Sequence, residues 1–216
     1  TELPVRLLYN DPWLSFQSGY VAYWGKTRWC TGDGERAQRW YQKAGEFREV
    51  PCTCEHLDPD YQDDKGGQNG RCKINGKLSV VIDGAEVVGG VWTLRTTSIN
   101  TVNGVASSLE MLRALSGGWL AGVPLHLTLR PRTAQLPDGK TSLIYVVGLE
   151  FRGSMERLRE YAEERANADL AYGGRMREIE QSVRAISAPP GAEAETLDDG
   201  EIVDEFDTED ARFEHV

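Results

Sequence analysis

The sequence predicts an α+β fold, with a mainly antiparallel sheet carrying one packed helix. A cysteine-stapled loop region, a C-terminal helical segment and an acidic, disordered tail complete it. Three observations predict this. Short strand-like runs, punctuated by turn residues, fill the first 150 positions. One apolar stripe at helical spacing covers Ser98–Ser116. The charge changes abruptly after Pro189-Pro190. The expected divisions are an α+β body over 1–153, a helical segment or arm over 154–188, and a tail over 189–216.

Strands are expected at Val5–Tyr9 and Gly19–Trp24. Others follow at Leu78–Asp83 and Val87–Thr96, with Gly84 as the turn signal between them. Leu125–Arg130 and Ser142–Arg152 read as a long hairpin. In its first strand Leu125, Leu127 and Leu129 alternate with His126, Thr128 and Arg130, and Pro137-Asp138-Gly139 marks the turn. This hairpin has a basic flank of Arg130, Arg132 and Lys140. The stretch TGDG before Glu35–Tyr41 reads as a turn leading into a helix, with Asp33 as its turn or cap residue.

The helix at Ser98–Ser116 places Ile99, Val102, Val105, Leu109, Leu112 and Leu115 on one stripe. Ser98 or Asn100 caps its start and Gly117-Gly118 ends it. Over 154–187 two further stripes appear, Met155-Leu158-Ala162 and Met176-Ile179-Val183-Ile186, divided by Gly173-Gly174. They fit a helical hairpin on the sheet or a projecting arm, and the pattern favours neither.

The net charge of −10 belongs to the tail. Residues 191–216 hold eleven acids and one base, whereas the other 190 residues hold 23 acids and 23 bases. A neutral body offers no global electrostatic pull on nucleic acid, although a local basic face would suffice. The tail's acid-rich, apolar-poor composition predicts disorder in the free chain. Ile202, Val203, Phe206 and Phe213 among the acids also suit a segment that orders on a partner. No apolar run approaches bilayer length, and residues 1–20 lack a basic start followed by an apolar core. A cytoplasmic protein is expected.

The four cysteines are Cys30, Cys52, Cys54 and Cys72, and His56 follows the C-x-C pair. In a reducing compartment such clustering points to metal more than to disulfides. Each lies near a turn signal, where a loop can bend thiolates toward one centre. Zinc favours four tetrahedral ligands of this kind. Three readings stay open: a structural zinc ion on Cys30, Cys52, Cys54 and Cys72, zinc with His56 replacing one cysteine, and cysteines without metal. A shell of four thiolates leaves no open position, so the expected zinc is structural, with Glu55 a surface acid. The stretch 51–77 is poor in apolar residues, and a metal would replace the missing burial.

Phosphate-loop, dinucleotide-fingerprint, metalloprotease and nucleophile-elbow motifs are all absent. Tyr20, Tyr23, Trp24, Trp29, Trp40 and Tyr41, interleaved with Lys26, Arg28, Arg36, Arg39 and Lys43, read as an aromatic core. They also fit a stacking surface for single strands. Lys65, Arg71, Lys73 and Lys77 around Cys72 form a second basic cluster that could meet phosphate.

Several stretches in order carry a family resemblance: AYWGKTRWCTGDGERAQRW, VPCTCEHL, GRCKINGKLSVVI, GGVWTLRTTSINTVNGVASSLEMLRALSGGWLAGVPLHLTLRPR and KTSLIYVVGLEF. Together, over roughly residues 3–165, they resemble the phage recombination directionality factors that accompany large serine integrases. Members with the cysteine set are often labelled metal-binding or hydrolase-like. The resemblance implies a non-enzymatic regulator in a bacterial host. Such a factor binds a DNA-bound integrase and turns integration into excision. It implies no small-molecule substrate and no membrane. The rival reading is a single-strand-binding or annealing protein of phage recombination. The expected contact residues under either are Arg71, Lys73, Lys77, Arg130, Arg132 and Lys140.

Overall fold

The computed structural model describes residues 2–52, 54–57, 62, 70–85, 89–135 and 141–186. Nine strands and four helices occur among them. In chain order they are β1 (Glu2–Arg6), α1 (Pro12–Ser15), β2 (Phe16–Trp24), β3 (Thr27–Gly32), β4 (Arg36–Tyr41), β5 (Glu46–Pro51), β6 (Cys72–Ile82), β7 (Trp92–Thr96), α2 (Ile99–Leu115), β8 (Pro124–Gln135), β9 (Thr141–Glu150), α3 (Met155–Ala171) and α4 (Met176–Ile186). A single 3-10 turn, Glu55–Leu57, follows β5. The strand ladders are antiparallel, so the expected α+β class with an antiparallel sheet is what the chain adopts.

The described chain forms two compact units, one of residues 2–18 and 75–186 and the other of residues 19–74. In the larger unit β1 lies between β6 and β8, β9 pairs with β8, and β7 pairs with β6. Its core is aliphatic: Val5, Leu78, Val105, Leu109, Leu120, Val123, Leu125 and Leu149 are almost wholly buried. Each such side chain contributes about 1.5–3 kcal/mol by leaving water.

Helix α2 follows from its sequence. The Ser98 hydroxyl accepts from Thr101 N at 3.3 Å, and Val102, Val105, Leu109 and Leu112 are buried. Gly117 and Gly118 end it with φ of 71° and 99°, a conformation that glycine alone adopts without strain. The helix packs on β9, and the Thr101 hydroxyl accepts the Val147 N–H at 3.3 Å. Gly76 on β6 admits the helix closely, since a β-carbon there would lie 2.8 Å from Val102 Cγ2.

Helix α3 is capped by Ser154 and buries Leu158 and Ala162. Helix α4 buries no residue, and its apolar stripe keeps Ile179 and Ile186 exposed. Polar ties hold α4 instead. Glu180 accepts from the backbone N–H groups of Asn10 and Asp11 at 2.6 and 3.0 Å, and Arg184 pairs with Asp11.

The smaller unit runs β5-β4-β3-β2. Three expectations are corrected here. Glu35–Tyr41 is not a helix: Arg36–Tyr41 is β4, registered residue by residue on β5 from Arg36↔Pro51 to Tyr41↔Glu46. Seven residues are too few for a self-supporting helix, and a hairpin partner lies directly downstream. Cys72–Lys77 is the start of β6, not a loop. The Leu125-Leu127-Leu129 alternation also fails at its end. Thr128 is buried beneath Gly148, and Leu129 emerges as the hairpin leaves the core. The expected start of a strand at Val87, the hairpin turn at 136–140 and the acidic tail lie outside the described residues.

Candidate metal centre

The centre is assembled within residues 19–74 by a three-stranded convergence. Asp33 forms the β3–β4 turn, its carboxylate accepting from Glu35 N at 2.8 Å and Arg36 N at 2.7 Å. These two bonds hold its pKa below the usual carboxylate value. Gly34 occupies the turn with φ of 107°. The turn sets the β3/β4 register at Cys30↔Arg39, Thr31↔Gln38 and Gly32↔Ala37. Cys52 N then donates to Glu35 O at 2.9 Å, which delivers the end of β5 to the same place.

Small residues make room for sulfur. Ala22 opposes Cys30 across β2/β3 and is buried with Ala37, Cys30 and Cys52. A β-carbon on Gly32 would meet Cys52 Sγ at 2.6 Å, so only glycine fits there. Cys72, at the start of β6, packs against this cluster with Trp29.

All four thiols and His56 line one cavity of about 10 Å³, with Ala22, Trp29, Gly32, Ala37 and Arg39 completing its wall. That is the room of a single water-sized atom. All four cysteines are unpaired. Among the described residues no three His, Cys, Asp or Glu side chains stand as a formed metal shell. The thiols share a cavity without having closed on one point. Burial pushes the Cys72 thiol up to about 12, with the other three cysteines adding to the effect. Burial also raises Cys30, against the opposing pull of Arg39. Soft sulfur donors in a one-atom space suit a thiophilic divalent ion.

Arg39 stands over this set. Its Nη2 donates to Cys54 Sγ at 3.4 Å, it stands opposite Cys30 in the β3/β4 register, and its Cζ lies 4.9 Å from the Trp29 ring centre. His56 meets the Trp29 ring edge-on at 4.9 Å. Burial and the Arg39 charge depress its pKa, so the imidazole is neutral near pH 7. Glu55 is exposed.

Of the expected contact residues, Arg130 and Arg132 share one face of β8 and are exposed. Arg130 is paired with Glu150 at 2.8 Å. Arg71 and Lys73 are half-buried in the smaller unit and Lys77 in the larger, where it sits across from Arg95. Lys140 and Lys65 lie outside the described residues. Trp29 and Arg39 belong to the cysteine cavity, not to an open stacking surface. The signal that places them there is the β3/β4 hairpin, which puts Arg39 opposite Cys30.

No helix among the described residues is long and apolar enough to cross a membrane. No curated protein and no solved structure matched the chain. A family model described as Gp3-like, recombination directionality factor-like, matches residues 1–152, which include the whole cysteine cavity, α2 and the β8–β9 hairpin. The chain belongs to this Gp3-like, recombination directionality factor-like family.

Proposed function

We propose that this protein is a recombination directionality factor that binds a DNA-bound large serine integrase in the bacterial cytoplasm. It switches the integrase from integration to excision and performs no covalent step of its own. The observation that carries this reading is the family match across residues 1–152. A structural zinc ion on Cys30, Cys52, Cys54 and Cys72 would hold the end of β5 against β3, β4 and β6. The ion would supply cohesion where the sequence supplies few apolar side chains.

A protein partner is supported by apolar surface left uncovered. Ile179 and Ile186 on α4 and Leu129, Leu143 and Tyr145 on the hairpin are exposed. Leu129 and Tyr145 share one face of that hairpin, where Leu129 opposes Val147 and Tyr145 opposes Pro131. A groove of about 950 Å³ also runs between the end of α2 and helices α3 and α4, with Leu115, Trp119, Ala166, Leu170 and Met176 in its wall. Grooves of this kind take an amphipathic helix.

The test is recombination in a purified system, with the integrase encoded beside this gene and its hybrid attachment sites. Excision that appears only when the protein is added supports the reading. Neither binding to the integrase nor excision would sink it.

A second reading, single-strand binding, is favoured by exposed Trp24, Trp40 and Tyr41, with the Arg48 guanidinium 5.4 Å from the Tyr41 ring. It requires salt-sensitive affinity for single-stranded DNA, and the absence of binding at low salt removes it.

A further inference from the structure

The four thiols raise a question of charge that the zinc reading leaves open. Four thiolates around a divalent ion carry a net charge of −2, and this set is largely buried: Cys30 and Cys52 are 6% and 4% exposed. Uncompensated charge in such a place is costly. One cation is built against the sulfurs. Arg39 faces Cys30 directly in the β3/β4 register. It donates to Cys54 Sγ at 3.4 Å and shares the wall of the cavity with Cys30, Cys52 and Cys72. Trp29 backs its guanidinium at 4.9 Å, which fixes the plane of the group as stacking on an aromatic face does. Its Nε is buried with no hydrogen-bond partner among the described residues, so donor capacity is left for an electron-rich neighbour.

We propose that Arg39 is the fixed counter-cation of an all-thiolate metal centre formed by Cys30, Cys52, Cys54 and Cys72. The inference rests on the zinc reading and adds to it a residue outside the ligand set. N–H donors on thiolate sulfur draw charge away from the metal and hold the sulfurs in place, as partners behind other metal ligands do. Lysine would bring the charge without the planar, multi-donor fork. His56 belongs to the wall: its ring is engaged edge-on by Trp29, and it hydrogen-bonds the Gly70 backbone.

The test uses the full chain. Wild type is purified, its zinc measured by elemental analysis, and zinc release to a chromogenic chelator is timed. Arg39→Leu and Arg39→Gln release zinc roughly 10-fold faster or more, Arg39→Lys falls between them and wild type, and His56→Ala stays within about twofold of wild type. If the leucine variant fails to fold, the glutamine variant carries the comparison, since it keeps a polar, hydrogen-bonding side chain while losing the charge and the guanidinium fork. Cobalt substitution gives a second readout. Wild type and His56→Ala show the sulfur-to-metal absorption of four thiolates, and the Arg39 variants move that band to lower energy. Release at the wild-type rate from both neutral Arg39 variants overturns the proposal. So does loss of metal from His56→Ala as great as that from Arg39→Leu. A wild-type chain that carries no zinc and takes up no cobalt overturns the zinc reading itself, and this one with it.

Discussion

The sulfur of Cys52 lies 2.6 Å from where a β-carbon on Gly32 would stand. That closeness joins the end of β3 to the residue after β5, and the cysteine cavity depends on it. A β-carbon at Gly32 would also meet Arg36 O at 2.7 Å and Ala37 Cβ at 2.8 Å. Backbone cannot swing aside as a flexible side chain can. Gly32→Ala is therefore expected to cost about 1–3 kcal/mol by overpacking and to weaken metal uptake. Thermal unfolding and zinc content measured on the same preparation check both effects.

Metal removal should act on the smaller unit. A strong chelator is expected to lower the wild-type unfolding temperature, and Cys72→Ser should lower it without chelator and blunt any further effect. Cys72 is informative because it lies at the far end of the sequence set, 18 positions after Cys54. A wild type whose unfolding ignores the chelator would contradict a structural metal.

Gly76 makes the corresponding prediction for the larger unit. A β-carbon there falls 2.8 Å from Val102 Cγ2 and 3.1 Å from both Phe16 Cζ and Thr96 Cγ2. Gly76→Val forces β6 and α2 apart and should cost about 1–3 kcal/mol or more. Zinc content should stay at the wild-type value, which separates this defect from that of Gly32→Ala.

Asp83 gives the pH dependence. Its carboxylate accepts from Arg6 at 2.8 Å, and this bond lowers its pKa below 3.8. A carboxylate with a depressed folded pKa contributes stability above its unfolded pKa and loses it as pH falls through the folded value. The pair is about one-third exposed, so solvent screening keeps its contribution under about 1 kcal/mol. Asp83→Asn should lower stability slightly at pH 7. The difference from wild type should shrink below about pH 4 and close as the folded-state pKa is passed. Denaturant titrations across that range read it directly.

Arg132 tests the hairpin. It is exposed on β8, so Arg132→Glu should leave the unfolding temperature within error. If the hairpin meets an acidic or nucleic-acid partner, the substitution slows association and reduces its salt dependence. Binding kinetics at two ionic strengths measure this.

Legibility in the sequence followed the range of the interactions. Helix α2 could be read almost to the residue, because its cap, stripe and terminal glycines are all local. The hairpin of β8 and β9 was legible for the same reason. Strands β3 to β5 were not. Arg36–Tyr41 has no clean alternation, and what makes it a strand is the facing segment Glu46–Pro51. The gathering of the thiols was expected from their types and turns. Arg39 and Gly32 as parts of the site were not, because each is defined by a neighbour across a ladder. The stripe of α4 was legible but its exposure was left open, since periodicity reports an apolar face and not what covers it.

The bond from Val147 N–H to the Thr101 hydroxyl has a colloidal consequence. An edge strand with bare N–H groups is a template on which other chains can stack and grow into fibrils. At Val147 that template is occupied by α2. A foreign strand must dislodge a helix whose inner face is buried before it can extend the sheet past this point. The packing that orders the core thus also guards one border of the molecule against polymerisation.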